Sequence, residues 1–225
     1  MTIRNSIKKL YSKVRNQGLK KTIVDFLTLL YDYYFDFKNR IDTASWYSIA
    51  DLAKENDVAK HAVLYQGTKI LPLASLFKRL DIKEDQVFVD IGSGKGRVLM
   101  LASKYGFKKV KGIEFSGFLC LIAEQNIEKY KAINNSKTHF EIINIDAAKY
   151  QIGYDENVFF MYNPFDEFIM KKVLNNIMDS IEENKREVLV IYVNPVHRHF
   201  LENIIKPKKV TNYNLWNVEV AVYNI

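Results

Sequence analysis

Short apolar runs alternate with amphipathic stretches along the chain after residue 86. The runs have the length of strands, and the stretches between them repeat apolar residues at helical spacing. Such alternation is typical of a parallel sheet with helices on both faces. The predicted strands are QVFVDI, KVKGIE, HFEIINI, NVFFMY and EVLVIYVN, and the predicted helices span residues 97–105, 117–131 and 167–183. Only a brief helix fits between the third and fourth runs.

The last eighteen residues have a different pattern. They form two strand-like runs with a tight connection around Asn212–Asn214, which predicts an antiparallel hairpin. The expected fold class is therefore α/β, with a mainly parallel seven-stranded sheet that ends in this hairpin. Such a hairpin distinguishes the chain from a flavodoxin-like or a simple dinucleotide fold.

Residues 1–67 lack strand-like alternation and predict a helical N-terminal extension, so we expect the main domain at residues 68–225. A helix is predicted at 69–80, with Thr68 as a candidate N-cap. One apolar stripe recurs at helical spacing within the extension, and we expect it to pack on the main domain. An interfacial membrane helix and a nucleic-acid arm are the alternatives. The stripe consists of Ile23, Phe26, Leu27, Leu30, Tyr34 and Phe37.

The positive charge of the chain is concentrated at its N-terminus. The 225 residues carry a formal net charge of +7, and residues 1–40 hold nine Lys and Arg against three Asp. The three Asp lie among aromatic residues, and they argue against a nucleic-acid arm because they would face phosphates with the wrong sign. The most apolar stretch of the extension is too short to span a membrane and carries too many charged residues.

The single cysteine, Cys120, excludes an intramolecular disulfide and fits a reducing compartment. With only four His in addition, we expect no metal site. The sequence shows no secretory signal, so we expect a cytoplasmic protein with at most peripheral membrane contact through residues 1–40.

A glycine-rich loop follows the first strand. Gly92-Ser93-Gly94-Lys95-Gly96 connects that strand to a helix beginning near Arg97. The third position of the dinucleotide fingerprint is Arg97 rather than glycine, and the spacing of a P-loop is absent. Asp90, just before the loop, would repel a pyrophosphate but favour a cationic ligand. These two residues disfavour a nicotinamide-dependent oxidoreductase and favour S-adenosylmethionine, which carries an ammonium and a sulfonium but no phosphate.

Two more carboxylates end the next strands. Glu114 lies 24 residues after Asp90, where an acidic residue can hold ribose hydroxyls, and Asp146 is placed to meet the adenine edge. Each acid alone fits a turn or a helix entry. Three acids at the ends of consecutive strands indicate one site for a positively charged, unphosphorylated nucleoside.

The motif series DIGSGKGR, GIE, NID and YNPF resembles class I, Rossmann-like S-adenosylmethionine-dependent methyltransferases over about residues 65–225. The chain also resembles a loosely characterised bacterial group that has DxGxGKGR and NPF motifs and a D-T segment, here Asp42-Thr43. Tyr65-Gln66-Gly67-Thr68 is similar to the E-T segment of the non-SET histone lysine methyltransferases, with Gly67 in place of the Glu. The implied cofactor-binding residues are Thr68, Asp90, Gly92, Ser93, Gly94, Gly96, Arg97, Glu114 and Asp146.

The fourth strand ends in Tyr162-Asn163-Pro164-Phe165, and these four residues are the candidate catalytic residues. The segment resembles the Asn/Asp-Pro-Pro-Tyr/Phe signature of amino-directed methyltransferases but lacks one Pro. Asn163 offers a carbonyl that could orient an amine, and Phe165 could stack on a flat substrate or a cation. The alternative is a turn leading into a helix capped by Asp166.

The sequence shows no obvious His–acid pair, although His197 and His199 could act as bases, and this favours nitrogen over oxygen as the acceptor. We therefore expect an S-adenosylmethionine-dependent methyltransferase acting on a protein lysine or another amine. A nucleic-acid methyltransferase is one alternative. A non-catalytic nucleotide-binding module, whose basic helix docks a partner or a membrane, is the other.

Overall fold

The computed structural model describes residues 11–12, 14–45, 67–163 and 166–225. Within these ranges the chain forms one seven-stranded sheet. Its strands are β1 (Val87–Ile91), β2 (Lys109–Glu114), β3 (His139–Asn144), β4 (Glu156–Tyr162), β5 (Leu189–Val193), β6 (Lys209–Leu215) and β7 (Val218–Asn224). They lie in the order β3-β2-β1-β4-β5-β7-β6. The first five in this order are parallel, and β7 runs antiparallel to both β5 and β6. The predicted fold class is confirmed.

Helices cover both faces of the sheet. They are α1 (Leu19–Asn39), α2 (Ile70–Phe77), α3 (Arg97–Ala102), α4 (Gly117–Asn134), α5 (Glu167–Glu183) and α6 (Arg198–Ile205), with short 3-10 helices at Ser103–Tyr105 and Ala147–Lys149. Alternate residues of the central strands point to opposite faces, as the pleat requires. Phe88 and Phe160 therefore join a core with α2 and α3, whereas Val89 and Phe159 join a second core with α5 and α6.

The C-terminal hairpin turns later than its sequence predicts. Asn212 and Asn214 lie within β6, and the turn is formed by Trp216 and Asn217, whose φ angles are 53° and 62°. Two consecutive left-handed residues give the strands the twist that a tight hairpin needs. Asparagine is tolerated in β6 because this strand lies at the edge of the sheet and most of its residues are not buried.

The face of helix α1 that packs against the protein is not the predicted apolar face but the opposite one. All six residues of the predicted apolar stripe are exposed, and Phe37 is 84% exposed. The buried positions of α1 are mainly polar: Thr22, Thr28, Asp32, Phe35, Asp36 and Asn39. The prediction that the stripe packs on the main domain was therefore wrong. The argument against a nucleic-acid arm also fails, because Asp32 and Asp36 face the protein interior.

Helix α2 begins one residue later than predicted, and Thr68 is not its side-chain cap. Lys69 occupies the N-cap position without a capping side-chain bond. The first amide of the helix, Ile70 N, instead donates to Asp32 Oδ1 of α1 at 2.9 Å. A carboxylate from another helix thus satisfies the donor that a local cap would otherwise take.

Among the described residues, no helix combines the length and apolar character needed to cross a membrane. The same residues contain no group of three or more His, Cys, Asp or Glu side chains that could hold a metal ion.

Candidate active site

The glycine loop lies at the carboxyl end of β1 and is tied to the end of β2. Gly92 N and Ser93 N both donate to Ile113 O, at 2.8 and 3.1 Å. Gly92, Gly94 and Gly96 have φ angles of 86°, 51° and 78°, a left-handed conformation that glycine adopts without steric cost. The sequence-predicted loop residues are thus brought together in a tight turn at the carboxyl end of β1, in which Gly92 is exposed and the residues from Ser93 to Gly96 are buried.

Ser93 lies in this loop, but its side chain faces the sheet. Its hydroxyl sits over Gly112, where an added Cβ would come within 2.6 Å of Ser93 Oγ. Ser93 Oγ is buried and has no hydrogen-bond partner within the described part of the chain. Gly112 therefore allows the loop to approach β2 closely.

Asp90 is the penultimate residue of β1 and is buried, with 2% of its surface exposed. Burial, and secondarily the neighbouring Glu114 charge, raises the pKa of the Asp90 carboxyl well above its usual range. No described residue donates a hydrogen bond to it. A buried carboxyl without a partner is stabilised in its charged form when a cation binds beside it. This environment fits the ammonium group of S-adenosylmethionine.

Glu114 ends β2 and connects the loop to the start of α4. Its Oε2 accepts from Gly94 N at 2.9 Å, and its Oε1 accepts from Ser116 N at 3.0 Å. Burial raises the pKa of Glu114, and these amide bonds oppose that shift. Each carboxylate oxygen has a second lone pair. Glu114 can therefore hold the loop and still accept from ribose hydroxyls.

Asp146 and Thr68 lie at two further points of the predicted site. Asp146 follows β3, and its Oδ1 caps the 3-10 helix at Ala147–Lys149 by accepting from Ala148 N at 2.9 Å. Thr68 is buried, and its carbonyl accepts from Arg97 Nη1 at 3.2 Å. Both contacts stabilise the local structure. The contacts of Asp146 and Thr68 with the cofactor stay predictions.

The two basic side chains of the loop region point to the N-terminal segment rather than to the cofactor edge. Lys95 Nζ donates to the Ser45 carbonyl at 3.0 Å and lies 3.4 Å from Asp42 Oδ2. Arg97 Nε donates to Thr43 Oγ1 at 2.6 Å, and the Arg97 guanidinium lies 3.4 Å from Asp32 and 3.7 Å from Asp36. The GKGR and D-T motifs therefore form one junction.

At the end of β4, Asn163 has a left-handed backbone with φ of 40°. Its Oδ1 accepts from the Tyr192 hydroxyl at 2.9 Å, which fixes the orientation of the amide. Tyr162 is half-buried, and burial, with a smaller contribution from Asp32, raises its pKa. Pro164 and Phe165 lie outside the described residues. The cap at Asp166, which the alternative interpretation of this segment as a turn predicts, is present, since Asp166 Oδ1 accepts from Ile169 N at 3.0 Å.

Sequence reasoning missed Tyr192 and the pairing of His197. Tyr192 lies on β5 opposite Met161 of β4, and its hydroxyl accepts from His197 N at 3.4 Å. His197 Nδ1 lies 3.0 Å from Glu167 Oε1. The chain therefore does contain a His–acid pair, and the His197 main chain is linked to Asn163 through the Tyr192 hydroxyl. The expected absence of such a pair no longer supports a nitrogen acceptor. Adjacency of β4 and β5 in the predicted sheet was the available signal.

The sequence of the chain matches a family of known proteins. A family model described as histone methylation protein DOT1 matches residues 58–220. No curated protein matches the chain.

The fold of the chain is similar to the folds of solved methyltransferases. A methyltransferase from Aquifex aeolicus that depends on S-adenosylmethionine has a TM-score of 0.56 and 13% identity, covering 79% of this chain and 98% of its own. An RNA methyltransferase from Salinibacter ruber, in complex with S-adenosylhomocysteine, has a TM-score of 0.50 and 20% identity over 68% and 90% of the two chains. A putative RNA methyltransferase from Pyrococcus horikoshii has a TM-score of 0.50 and 18% identity over 78% and 92%. At these identities the similarity shows the fold.

Proposed function

Because the chain belongs to the DOT1 family and is therefore an S-adenosylmethionine-dependent methyltransferase, we propose that its methyl acceptor is a nitrogen atom. The proposed acceptor class is the amine of a protein lysine, or another amine. The observation that carries this proposal is the fixed Asn163 amide at the end of β4, where Tyr192 holds its carbonyl oxygen in place. The description of the family as histone methylation proteins supports a protein acceptor.

The cofactor supplies an electrophilic methyl group on a sulfonium. The proposed residues that bind it are Asp90 for the ammonium, Glu114 for the ribose, the loop residues Gly92, Ser93, Gly94 and Gly96, and Asp146 and Thr68 near the adenine and the methionine. Arg97 and Lys95 act indirectly, because their side chains hold the N-terminal segment against the loop. Carboxylates that are already held in place bind such a ligand with little reorganisation, and the glycines let it approach the main chain of the loop closely.

Asn163 positions the acceptor. Tyr192 donates to one lone pair of Asn163 Oδ1, and the other can accept an N–H of the amine, which turns the nitrogen lone pair toward the methyl group. In-line displacement then forms the N–C bond and breaks the C–S bond, and the nitrogen loses a proton. His197 is proposed to accept that proton through Nε2, since Glu167 engages its Nδ1.

The test is transfer of a radiolabelled methyl group into a fractionated lysate by wild type, Asn163→Ala and Asn135→Ala. Asn135 is a matched control because it is also left-handed, with φ of 48°, but caps α4. Loss of the Asn163 amide should reduce transfer on the order of a hundredfold, a typical cost for one positioned polar group. Asn135→Ala should keep wild-type transfer.

Label entering only nucleic acid or lipid would contradict the amine proposal while leaving the cofactor assignment intact. Absence of calorimetric binding of S-adenosylmethionine and S-adenosylhomocysteine at millimolar ligand would contradict the cofactor site itself. Equal transfer by Asn163→Ala and wild type would remove Asn163 from the mechanism.

Three finer assignments accompany this proposal. We place the chain in the bacterial group with DxGxGKGR and NPF motifs, and divide it into an extension at 1–67 and a methyltransferase domain at 68–225. We place the reaction in the cytoplasm, which fits a free and buried Cys120. Peripheral membrane contact through residues 1–40 is a separate proposal, because it concerns the outer face of α1.

A further inference from the structure

Helix α1 is amphipathic, but its apolar face points away from the protein and its more polar face packs against it. Asp32 and Asp36 face the protein, and every exposed residue of the helix is apolar, aromatic or Lys. More than half of the exposed large apolar side chains among the described residues lie on this one helix. They are Leu19, Ile23, Phe26, Leu27, Leu29, Leu30, Tyr31, Tyr33, Tyr34 and Phe37, which we define as the outer face. A continuous apolar patch of this kind marks an interaction site.

The outer face is bordered by cations. Lys20 and Lys21 are exposed near its start, and Lys38 and Arg40 are exposed at its end. The acidic residues of α1 do not offset these charges at the surface: Arg97 lies beside Asp32 and Asp36, and Lys69 Nζ lies 3.4 Å from Asp25. The surface is therefore more positive than the composition of the segment suggests.

More lysines lie next to the end of α1. Asn134 Nδ2 donates to Asn39 Oδ1 at 2.8 Å, and Asn134 lines an open cavity of 520 Å³. Lys104 and Lys137 also line this cavity, together with Lys108, whose Nζ lies 2.6 Å from Glu84 Oε2. Lys104 also contacts α1 directly, since its Nζ lies 5.1 Å from the centre of the Phe35 ring. The cationic border of the outer face thus continues onto the main domain.

We propose that the outer face of α1 docks on the surface of an anionic lipid bilayer, with the helix parallel to the membrane plane. Apolar and aromatic side chains enter the boundary between headgroups and acyl chains, and the lysines meet the headgroups. The three tyrosines are typical of that boundary. A second copy fits this face less well, because two copies would bring like charges together along the border. This proposal is independent of the methyl acceptor.

The test is flotation of the full chain with vesicles of phosphatidylcholine alone and with vesicles that also contain phosphatidylglycerol. We expect binding to the anionic vesicles that weakens with salt. The double variant Phe26→Gln and Phe37→Gln should bind at least about tenfold more weakly, since it removes two inserted rings. The double variant Leu121→Gln and Tyr154→Gln, which alters two exposed large side chains elsewhere, should bind as wild type does.

Charge is tested separately from apolar area. Lys20→Glu and Lys38→Glu together should reduce anionic-vesicle binding about tenfold or more without changing affinity for S-adenosylhomocysteine. Failure of wild type to bind anionic vesicles would overturn the proposal. So would a concentration-dependent dimer that the Phe26 and Phe37 variant abolishes, because the occupant would then be a second copy. Loss of methyl transfer with retained vesicle binding would affect only the proposed acceptor.

Discussion

Two pairs of buried carboxyl groups lie on either side of the glycine loop, and they have different partners. At the junction with the N-terminal segment, Asp32 and Asp36 face the Arg97 guanidinium, and Asp36 also accepts from Thr43 and Ala44. At the cofactor edge, Asp90 has no donor among the described residues, and burial raises its pKa. The Glu114 carboxylate accepts hydrogen bonds from main-chain amides and has no cationic partner within the described ranges.

This difference distinguishes carboxyl groups that stabilise the fold from carboxyl groups that are available to a ligand. A buried carboxylate that already has an opposite charge contributes to the packing of two segments, whereas one without such a charge favours a ligand that brings it. Acidic residues on the two sides of the same loop therefore have different roles. The following variants test the comparison.

The largest effect is expected from Arg97→Met. This variant removes the cation between Asp32 and Asp36 and leaves both carboxyls buried without it. Breaking a buried charge pair in this way costs about 3–5 kcal/mol of unfolding free energy. Urea denaturation of the full chain measures it, with the exposed Arg79→Met as a control that should stay within about 0.5 kcal/mol. A loss as small as that of the control would show that the junction contributes little to stability.

A smaller loss is expected from Asp36→Asn. Asp36 Oδ2 accepts from Thr43 N and Ala44 N, both at 2.7 Å, and Oδ1 accepts from Thr43 Oγ1 at 2.5 Å. An amide has only one accepting oxygen, so at least one of these donors loses its partner, at a cost of about 1–3 kcal/mol. Asp179→Asn, at an exposed position of α5, is the control in the same denaturation experiment. Equal midpoints for the two variants would contradict the prediction.

The smallest effect on stability, and of opposite sign, is expected from Asp90→Asn. The pKa of Asp90 is raised in the folded protein, so the native state binds more protons than the unfolded state, and stability falls as the pH rises through the unfolded value. Without ligand, the variant should be about 0.5–2 kcal/mol more stable than wild type at pH 7. This advantage should disappear at a pH low enough to protonate Asp90 in both states.

Calorimetry completes the test at Asp90. The stabilised variant should bind S-adenosylmethionine more weakly, by about 1–3 kcal/mol, because the neutral amide does not match the ammonium charge. A variant that is both less stable at pH 7 and unchanged in affinity would place Asp90 with the structural carboxyls.

The helices show where sequence periodicity predicts burial and where it fails. In α5 the apolar stripe is buried as the periodicity implies, and the residues include Ile169, Val173, Leu174 and Ile177. In α1 an equally regular stripe is exposed. Periodicity identifies an apolar face, but the face that packs on the protein depends on what the neighbouring surface offers. For α1 that surface contains the Arg97 guanidinium, which pairs with Asp32 and Asp36 and so holds the polar face of the helix against the protein.

The candidate site divides in the same way. The sequence alone predicted the series of acid, glycine loop and acid. These residues lie at or just after the ends of strands, and the carboxyl ends of parallel strands meet at one edge of the sheet. The sequence did not predict Tyr192 or the His197–Glu167 pair, because these residues lie on separate elements. Only the packing of β5, α5 and α6 places the Tyr192 hydroxyl between Asn163 and the His197 main chain, and places His197 beside Glu167.

By itself, the sequence determined the alternation of strands and helices, the sheet with its terminal hairpin, and the loop with its neighbouring acids, because these depend on local spacing. Tertiary structure decided which carboxyls are paired, where Lys95 and Arg97 point and which face of α1 meets the protein. The physical reason is that the state of a buried charge depends on groups distant in the chain, whose positions are fixed only when the chain is folded.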